Sequence, residues 1–350
     1  MFRAFLPIFV ALTILFSFPF ARAANDINLD IGAITGPNWK LSGVSLKAEN
    51  FFSLADGTFR LTAAKLVLPK PFDGLELAEL RCEKFRWHGK TADCTQGRAL
   101  VNAKRWRAIK AGFSFHLAES ASWLKLESPQ MTLSAELNGQ HWQTHFKAKR
   151  LDAKFAATML KTFAPALPIT PQQGSADIVG DISGSGNTPA VVKIKANING
   201  LNAQSEDGKF ASEKLRLEID FEAKSNDKGW QWRGNAQLNQ GALYKEPLYL
   251  DADAHPITLT ARGSLNQSLR RVRVDAFDFR QSGVVDLSGQ AQVRYRHQPE
   301  LAQADLLLRT DNLQSLLSSY IQPFFVDSPL ADLRSEDTRL NSSHQIISYA

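Results

Sequence analysis

Apolar and polar residues alternate with a period of two along most of the chain, the spacing of strands with one buried face. The clearest run lies between Lys214 and Lys224. There Leu215, Leu217, Ile219, Phe221 and Ala223 alternate with Arg216, Glu218, Asp220 and Glu222. The same beat carries Ile27, Leu29, Ile31 and Ala33, then Phe59, Leu61 and Ala63, and Phe113, Phe115 and Leu117. It continues through Met131, Leu133, Ala135 and Leu137, through Val192, Ile194, Ala196 and Ile198, and through Val285, Leu287, Ala291, Val293 and Tyr295. Turn formers separate the runs: Asp56-Gly57, Asn138-Gly139, Asn199-Gly200, Asp207-Gly208 and Asp227-Lys228-Gly229. The pattern predicts a mostly-β chain of antiparallel strands, each apolar on one face and charged on the other.

Two stretches change to helical spacing. Asp311 to Phe324 brings Leu313, Leu316, Leu317, Tyr320, Ile321 and Phe324 into register, with Asp311 as the expected N-cap and Pro323 near the end. Asp152 to Phe163 does the same for Phe155, Met159, Leu160 and Phe163, and Pro165 and Pro168 follow. Arg150-Leu151-Asp152 leads into one helix and Arg309-Thr310-Asp311 into the other, 159 residues later (311 minus 152). That correspondence predicts a diverged repeat of β-region plus closing helix. The segments are 24–150 and 171–309 as the two β-regions, 151–170 as helix and proline turn, and 310–333 as amphipathic helix and exit.

The two ends read differently. Arg3, the uncharged stretch Ala4 to Phe20 and Ala21-Arg22-Ala23 make 1–23 an export signal, or an uncleaved inner-membrane anchor at the lower limit of length for a span. Either way the remainder is expected outside the cytoplasm, in the periplasm. Arg334 to Ala350 resembles the in-frame translation of a sequencing-library adapter. Asp337 to His344 matches the constant part, Gln345-Ile346 the index and Ile347 to Ala350 the tail. On that reading 334–350 is non-native, and the chain is the N-terminal fragment of a protein that continues past Leu333.

Ala24 to Leu333 leaves enough chain for one large core or two ordinary domains. The formal charge of +6 loses two with Arg3 and Arg22, and the tail's two basic and two acidic residues cancel, leaving +4. The basic residues are scattered in sequence, so a nucleic-acid patch is not indicated, whereas a mild attraction to anionic lipid is allowed. Cys82 and Cys94 sit symmetrically about His88. A hairpin with an odd-length loop would place them opposite each other as a disulfide, the reading an oxidising compartment favours over a metal pair.

No catalytic constellation, cofactor motif or metal-ligand set emerges. Gly180-Asp181-Ile182-Ser183-Gly184-Ser185-Gly186 lacks the Lys-Ser/Thr of a phosphate loop and reads as a strand end and turn. His141 and His145 share a strand face with no third ligand and read as surface residues. The abundant carboxylates fall on the alternating polar face.

The open question is what covers the apolar face. About 20 strands with three inward side chains each would amount to on the order of 1,400 Å². A second sheet would seal this as a sandwich or solenoid. A long curled sheet would instead leave a trough for hydrocarbon. The candidates for its lining are Val192, Ile194, Ile198, Leu215, Leu217, Ile219, Phe221, Val285, Leu287 and Val293. A third arrangement, an outer-membrane barrel, calls for aromatic girdles on longer strands.

Leu80-Arg81-Cys82 through Asp93-Cys94, and the strand, helix, proline turn and glycine-punctuated strand of Leu151 to Gly184, resemble the AsmA/TamB-type superfamily. Within it the chain is most similar to the YdbH-like intermembrane phospholipid transport proteins. The resemblance implies a repeating β-groove with a few short amphipathic helices. It also implies phospholipids as cargo, the inner membrane as one partner, and an outer-membrane lipoprotein meeting a C-terminal part not present here. The alternative function is an envelope scaffold or assembly factor that pairs its sheet edge with partner strands.

Overall fold

The structure is a computed structural model and describes residues 26–36, 39–50, 56–67, 75–103, 106–157, 169–186, 188–266, 271–295, 299–325 and 347–349. The signal-like segment 1–23, residues 158–168 of the first expected helix and its proline exit, and 326–346 lie outside the described residues. The described residues are 80% strand, the mostly-β antiparallel class that the alternation predicts. The chain divides into two compact units. Unit 1 comprises Met1–Lys149, Thr158–Ala166 and Ile182–Pro189, and unit 2 comprises Arg150–Ala157, Leu167–Asp181 and Ala190–Ala350.

Unit 1 is an antiparallel meander. Its strands are β1 (Ile27–Gly36), β2 (Trp39–Glu49), β3 (Gly57–Val67), β4 (Leu75–His88), β5 (Thr91–Ala103), β6 (Trp106–Leu117), β7 (Ala121–Glu127), β8 (Met131–Asn138) and β9 (His141–Asp152). Each strand pairs with the next in sequence. The register stacks like against like: Ala48, Phe59, Cys82, Gly97, Phe113 and Leu126 form one cross-strand row. In the middle of the meander the apolar face is sealed. Val44 and Phe85 are 1% exposed, and Phe59 and Phe115 close to that. Phe59 meets Phe85 edge-on at 5.3 Å and lies 6.3 Å from Phe115, so bulky rings from three strands fill the interior. Phe113 lies over Gly97, where a Cβ would collide with its ring.

At the centre of this core sits the Cys82–Cys94 disulfide, with Cα atoms 6.1 Å apart and both residues wholly buried. The bond is as expected, but the hairpin that makes it is not. His88 pairs with Thr91 across a two-residue Gly89-Lys90 turn, so the loop is even in length. Cys82 faces Gly97 and Cys94 faces Phe85, and register shifts between Cys82 and Phe85 let both cysteines point inward and join diagonally.

Unit 2 opens on four long strands, β10 (Ile169–Ser185), β11 (Thr188–Ser205), β12 (Phe210–Asn226) and β13 (Gly229–Lys245), with the β10–β11 turn at Ile182–Pro189 belonging to unit 1. It continues through β14 (Leu248–Asp251), β15 (Ile257–Asn266), β16 (Arg271–Gln281), β17 (Val285–Tyr295) and β18 (Pro299–Arg309). A three-residue strand, β19 (Ile347–Tyr349), pairs with Leu306–Leu308 of β18. Asp152 Oδ1 accepts the backbone N–H groups of Lys154 and Phe155 and so caps a helical turn, α1, at 153–157.

Bulges crossing neighbouring strands shape this unit. Asn199-Gly200, expected as a turn, instead lies inside β11, where Gly200 (φ 60°) marks a shift of register between Ile198 and Leu201. Lys214 in β12 (φ 47°) and Gly241 in β13 (φ 89°) are also left-handed, with a second register shift between Glu213 and Leu217. Side chains satisfy the freed amides: Lys214 donates its N–H to Asn202 Oδ1 at 2.6 Å, and Gly241 to Asp253 Oδ1 at 3.1 Å. Bulges bend a strand and raise its twist. On one side of them β13 pairs with β15 through Trp230–Leu238, and on the other with β14 through Ala242–Lys245. The corner so made buries Leu215, Leu238, Ala252 and Ile257.

The second expected helix forms, with two differences. Its N-cap is Asn312 rather than Asp311: Asn312 Oδ1 accepts the Ser315 N–H at 2.9 Å, and Thr310 Oγ1 accepts the N–H of Asn312. The helix is also not uniform. An α-turn, α2 (Leu313–Leu316), opens into a π-turn (Leu317–Ile321) and tightens into a 3₁₀-turn (Gln322–Phe325). Widening the turn places Leu316 and Tyr320 against Val284, Val285, Phe279 and Leu308, while Leu313, Leu317, Ile321 and Phe324 face outward.

Candidate functional site

In unit 2 the register assembles the apolar positions of seven strands into parallel rows on one face. Ile198, Leu217, Leu238, Ile257, Gln281 and Val285 form the row nearest the bulges. Next come Ala196, Ile219, Ala236, Leu259, Phe279, Leu287 and Leu308. A third row holds Ile194, Phe221, Gly234, Ala261, Phe277, Gly289 and Leu306, and Val192, Ala223, Trp232, Gly263, Val274, Ala291 and Ala304 follow. Trp230, Leu265, Val272, Val293 and Leu301 close the set near the strand ends. Eight residues along each strand and six inter-strand gaps give a face of roughly 27 by 29 Å. It carries no charged side chain, and Gln281 is its one amide.

Nine of the ten expected lining residues lie on this face, and the ten do not share one environment. Leu215 and Val285 are corrections to the open lining. Leu215 lies beyond the β12 bulge in the buried corner, and Val285 packs under the helix with Val284 and Leu316. Val192, Ile198, Leu217, Ile219, Phe221, Leu287 and Val293 are half-buried. Ile194 is 37% exposed, and Leu259 and Leu306 are each 39% exposed. A packed second layer would bring such side chains to the near-zero exposure seen in unit 1.

The residues not anticipated are the small ones: Gly234 and Ala236 of β13, Ala261 and Gly263 of β15, and Gly289 and Ala291 of β17. The last two pairs are separated by Phe277 and Val274 of β16, and the Trp232 ring lies where a Cβ of Gly263 would stand. Carrying the alternation of β12 through the next hairpins would have found them, because each directly opposes an apolar or small residue already in phase.

The opposite face is a charge ladder. Lys195 lies 3.2 Å from Asp220, and Arg280 Nε 2.9 Å from Asp286. Glu222 is mostly buried and takes three cations, Lys193 at 3.8 Å, Lys224 at 3.3 Å and Arg233. Burial opposes its charge, but hydrogen bonds from Arg233 and Lys224 outweigh this and hold the carboxyl below its ordinary range. His141 and His145 are exposed on β9, and Gly180 to Ser185 finishes β10, with Gly186 in the left-handed turn that follows. Among the described residues no group of three or more His, Cys, Asp or Glu side chains is gathered to hold a metal ion. No described helix is long and apolar enough to cross a membrane.

Compared with family models, with curated proteins and with solved structures, the chain has no match. The class of protein is therefore defined by its architecture, a mostly-β antiparallel sheet in which each described strand is apolar on one face.

Proposed function

We propose that unit 2 shelters phospholipid acyl chains on its apolar face, and that the protein is a passive conduit for phospholipids between the inner and outer membranes of an envelope. The carrying observation is the set of uncharged cross-strand rows with Ile194, Leu259 and Leu306 more than a third exposed. A face of roughly 27 by 29 Å exceeds the ~15 Å of hydrocarbon in one leaflet, so a whole acyl chain fits along it. Each methylene kept from water contributes about 0.8 kcal/mol without any directional bond. Such contact holds a chain while leaving it free to slide along the rows. The resemblance to YdbH-like proteins supports the same role.

A photocrosslinker at Phe221 or Ile219, on protein purified from the envelope, tests the proposal. Phospholipid adducts at both positions are the expected result. Protein adducts alone would favour the scaffold reading, and recovery of no phospholipid from folded protein would end the conduit reading.

A further inference from the structure

The polar face of unit 2 is divided by charge along the strands. On β12 to β17 the two rows nearest the bulges carry Arg280 against Glu218, Asp220, Asp278 and Asp286, one basic minus four acidic residues, or −3. The three rows at the other end of the same strands carry Lys224, Arg233, Arg262, Arg271, Arg273 and Arg294. Against them stand Glu222 and Asp275, six minus two, or +4 on these strands, with Asp305 and Glu300 on the flanking β18 and Glu300 directly opposite Arg294. Glu222 is already held by Lys224 and Arg233, and Asp275 lies 2.7 Å from Arg273. Among the described residues Arg262, Arg271 and Arg294 have no ion-pair partner. Arg271 and Arg294 are directly opposite each other across β16 and β17, and the Arg271 Nε is buried without a hydrogen-bond partner. Like charges so placed destabilise a sheet unless an anion lies between them. Beside them Lys224, Arg233, Arg262 and Arg273, with Glu222 and Asp275 among them, line a shallow concavity of about 720 Å³.

The other face of these strand ends carries Trp230, Leu265, Val272 and Val293, with Leu301 68% exposed at the end of the row. One margin of the sheet is thus arginine-rich on one side and carries one tryptophan and four aliphatic side chains on the other. That is the composition of a bilayer interface contact, where amphipathic aromatics sit at headgroup depth and basic residues meet anionic lipid. A nucleic acid would use the arginines but has no use for the aliphatic row behind them. We infer that this margin docks on a membrane surface bearing anionic phosphate headgroups. The inference is independent of whether acyl chains enter the apolar face, because it rests on charge and on the composition of the strand ends.

Vesicle flotation with the whole protein tests it, using phosphatidylcholine alone and equal parts phosphatidylcholine and phosphatidylglycerol. The protein is expected to float with the mixed vesicles, less so as salt rises, and not with phosphatidylcholine alone. Arg262→Gln with Arg271→Gln and Arg294→Gln should weaken binding about a hundred-fold, at roughly five-fold per basic residue. Lys195→Gln with Arg280→Gln and Arg309→Gln removes the same charge elsewhere on the polar face and should leave binding within a few-fold. Melting curves confirm that both variants fold. Equal losses in the two variants, or no loss in the first, would overturn the inference. So would competition by millimolar inorganic phosphate, which marks a free-anion site, or equally tight, arginine-dependent binding of duplex DNA. Phospholipid crosslinking at Phe221 reads the conduit separately.

Discussion

Gln281 shows how one polar residue is accommodated in an apolar row. It is 3% exposed, directly opposite Ile257 and Val285, and its Oε1 accepts the Tyr320 hydroxyl at 2.5 Å. A buried amide left without that partner costs about 1–3 kcal/mol, so the pair fixes the helix against the end of the row. Burial pushes the Tyr320 hydroxyl up to about 12. Its folded pKa is raised above the unfolded value near 10, so the stabilisation is complete below about pH 10 and is lost as pH rises toward 12. Denaturant midpoints measured from about pH 8 to 12 should fall more steeply for the wild-type protein than for Tyr320→Phe, which should already be weaker at neutral pH. Parallel pH curves for the two proteins would show that the hydroxyl is not buried against Gln281.

Among the elements, the bulges of β11, β12 and β13 separate the buried corner from the open rows. Gly241 is the most constrained of them: its φ is 89°, and a Cβ there would run into the Glu213 and Lys214 carbonyls. Gly241→Ala should therefore cost about 1–3 kcal/mol. At Gly234, on the same strand, the nearest atom to an added Cβ is Phe221 Cδ2 at 3.7 Å. Gly234→Ala should stay within about 0.5 kcal/mol of wild type in the same denaturant unfolding experiment. This contrast also marks what the sequence makes legible. Period-two alternation assigns each residue a face, and nine of the ten lining candidates fall in the shared rows, Leu215 lying beyond the bulge. It does not report where the phase slips, because a left-handed Lys214 leaves no compositional mark and Asn199-Gly200 looks like an ordinary turn. Nor does it show the basic margin. Lys224, Arg233, Arg262, Arg273 and Arg294 are far apart in sequence, and only the ladder register brings them together.

At the scale of the molecule, two units with the same alternation reach opposite outcomes. In unit 1 the inward positions are filled by Phe59, Phe85, Phe113 and Phe115 around a buried disulfide, and the face closes. In unit 2 the central positions include Gly234, Ala236, Ala261, Gly289 and Ala291, and Ile194, Leu259 and Leu306 beside them stay more than a third exposed. Side-chain volume decides between a sealed core and an exposed lane, and a binary apolar pattern does not encode volume. On the proposed function, stability is concentrated in unit 1 and cargo contact in unit 2. A disulfide spanning 12 residues contributes about 3 kcal/mol by restricting the unfolded chain. Reduction, or Cys82→Ser with Cys94→Ser, should therefore speed amide hydrogen exchange in β2 to β6 while leaving β12 to β17 protected. Phospholipid adducts at Phe221 should survive the same treatment. If protection fell equally in both sets of strands, the two units would be unfolding as one cooperative body, and the proposed separation of core from lane would be wrong.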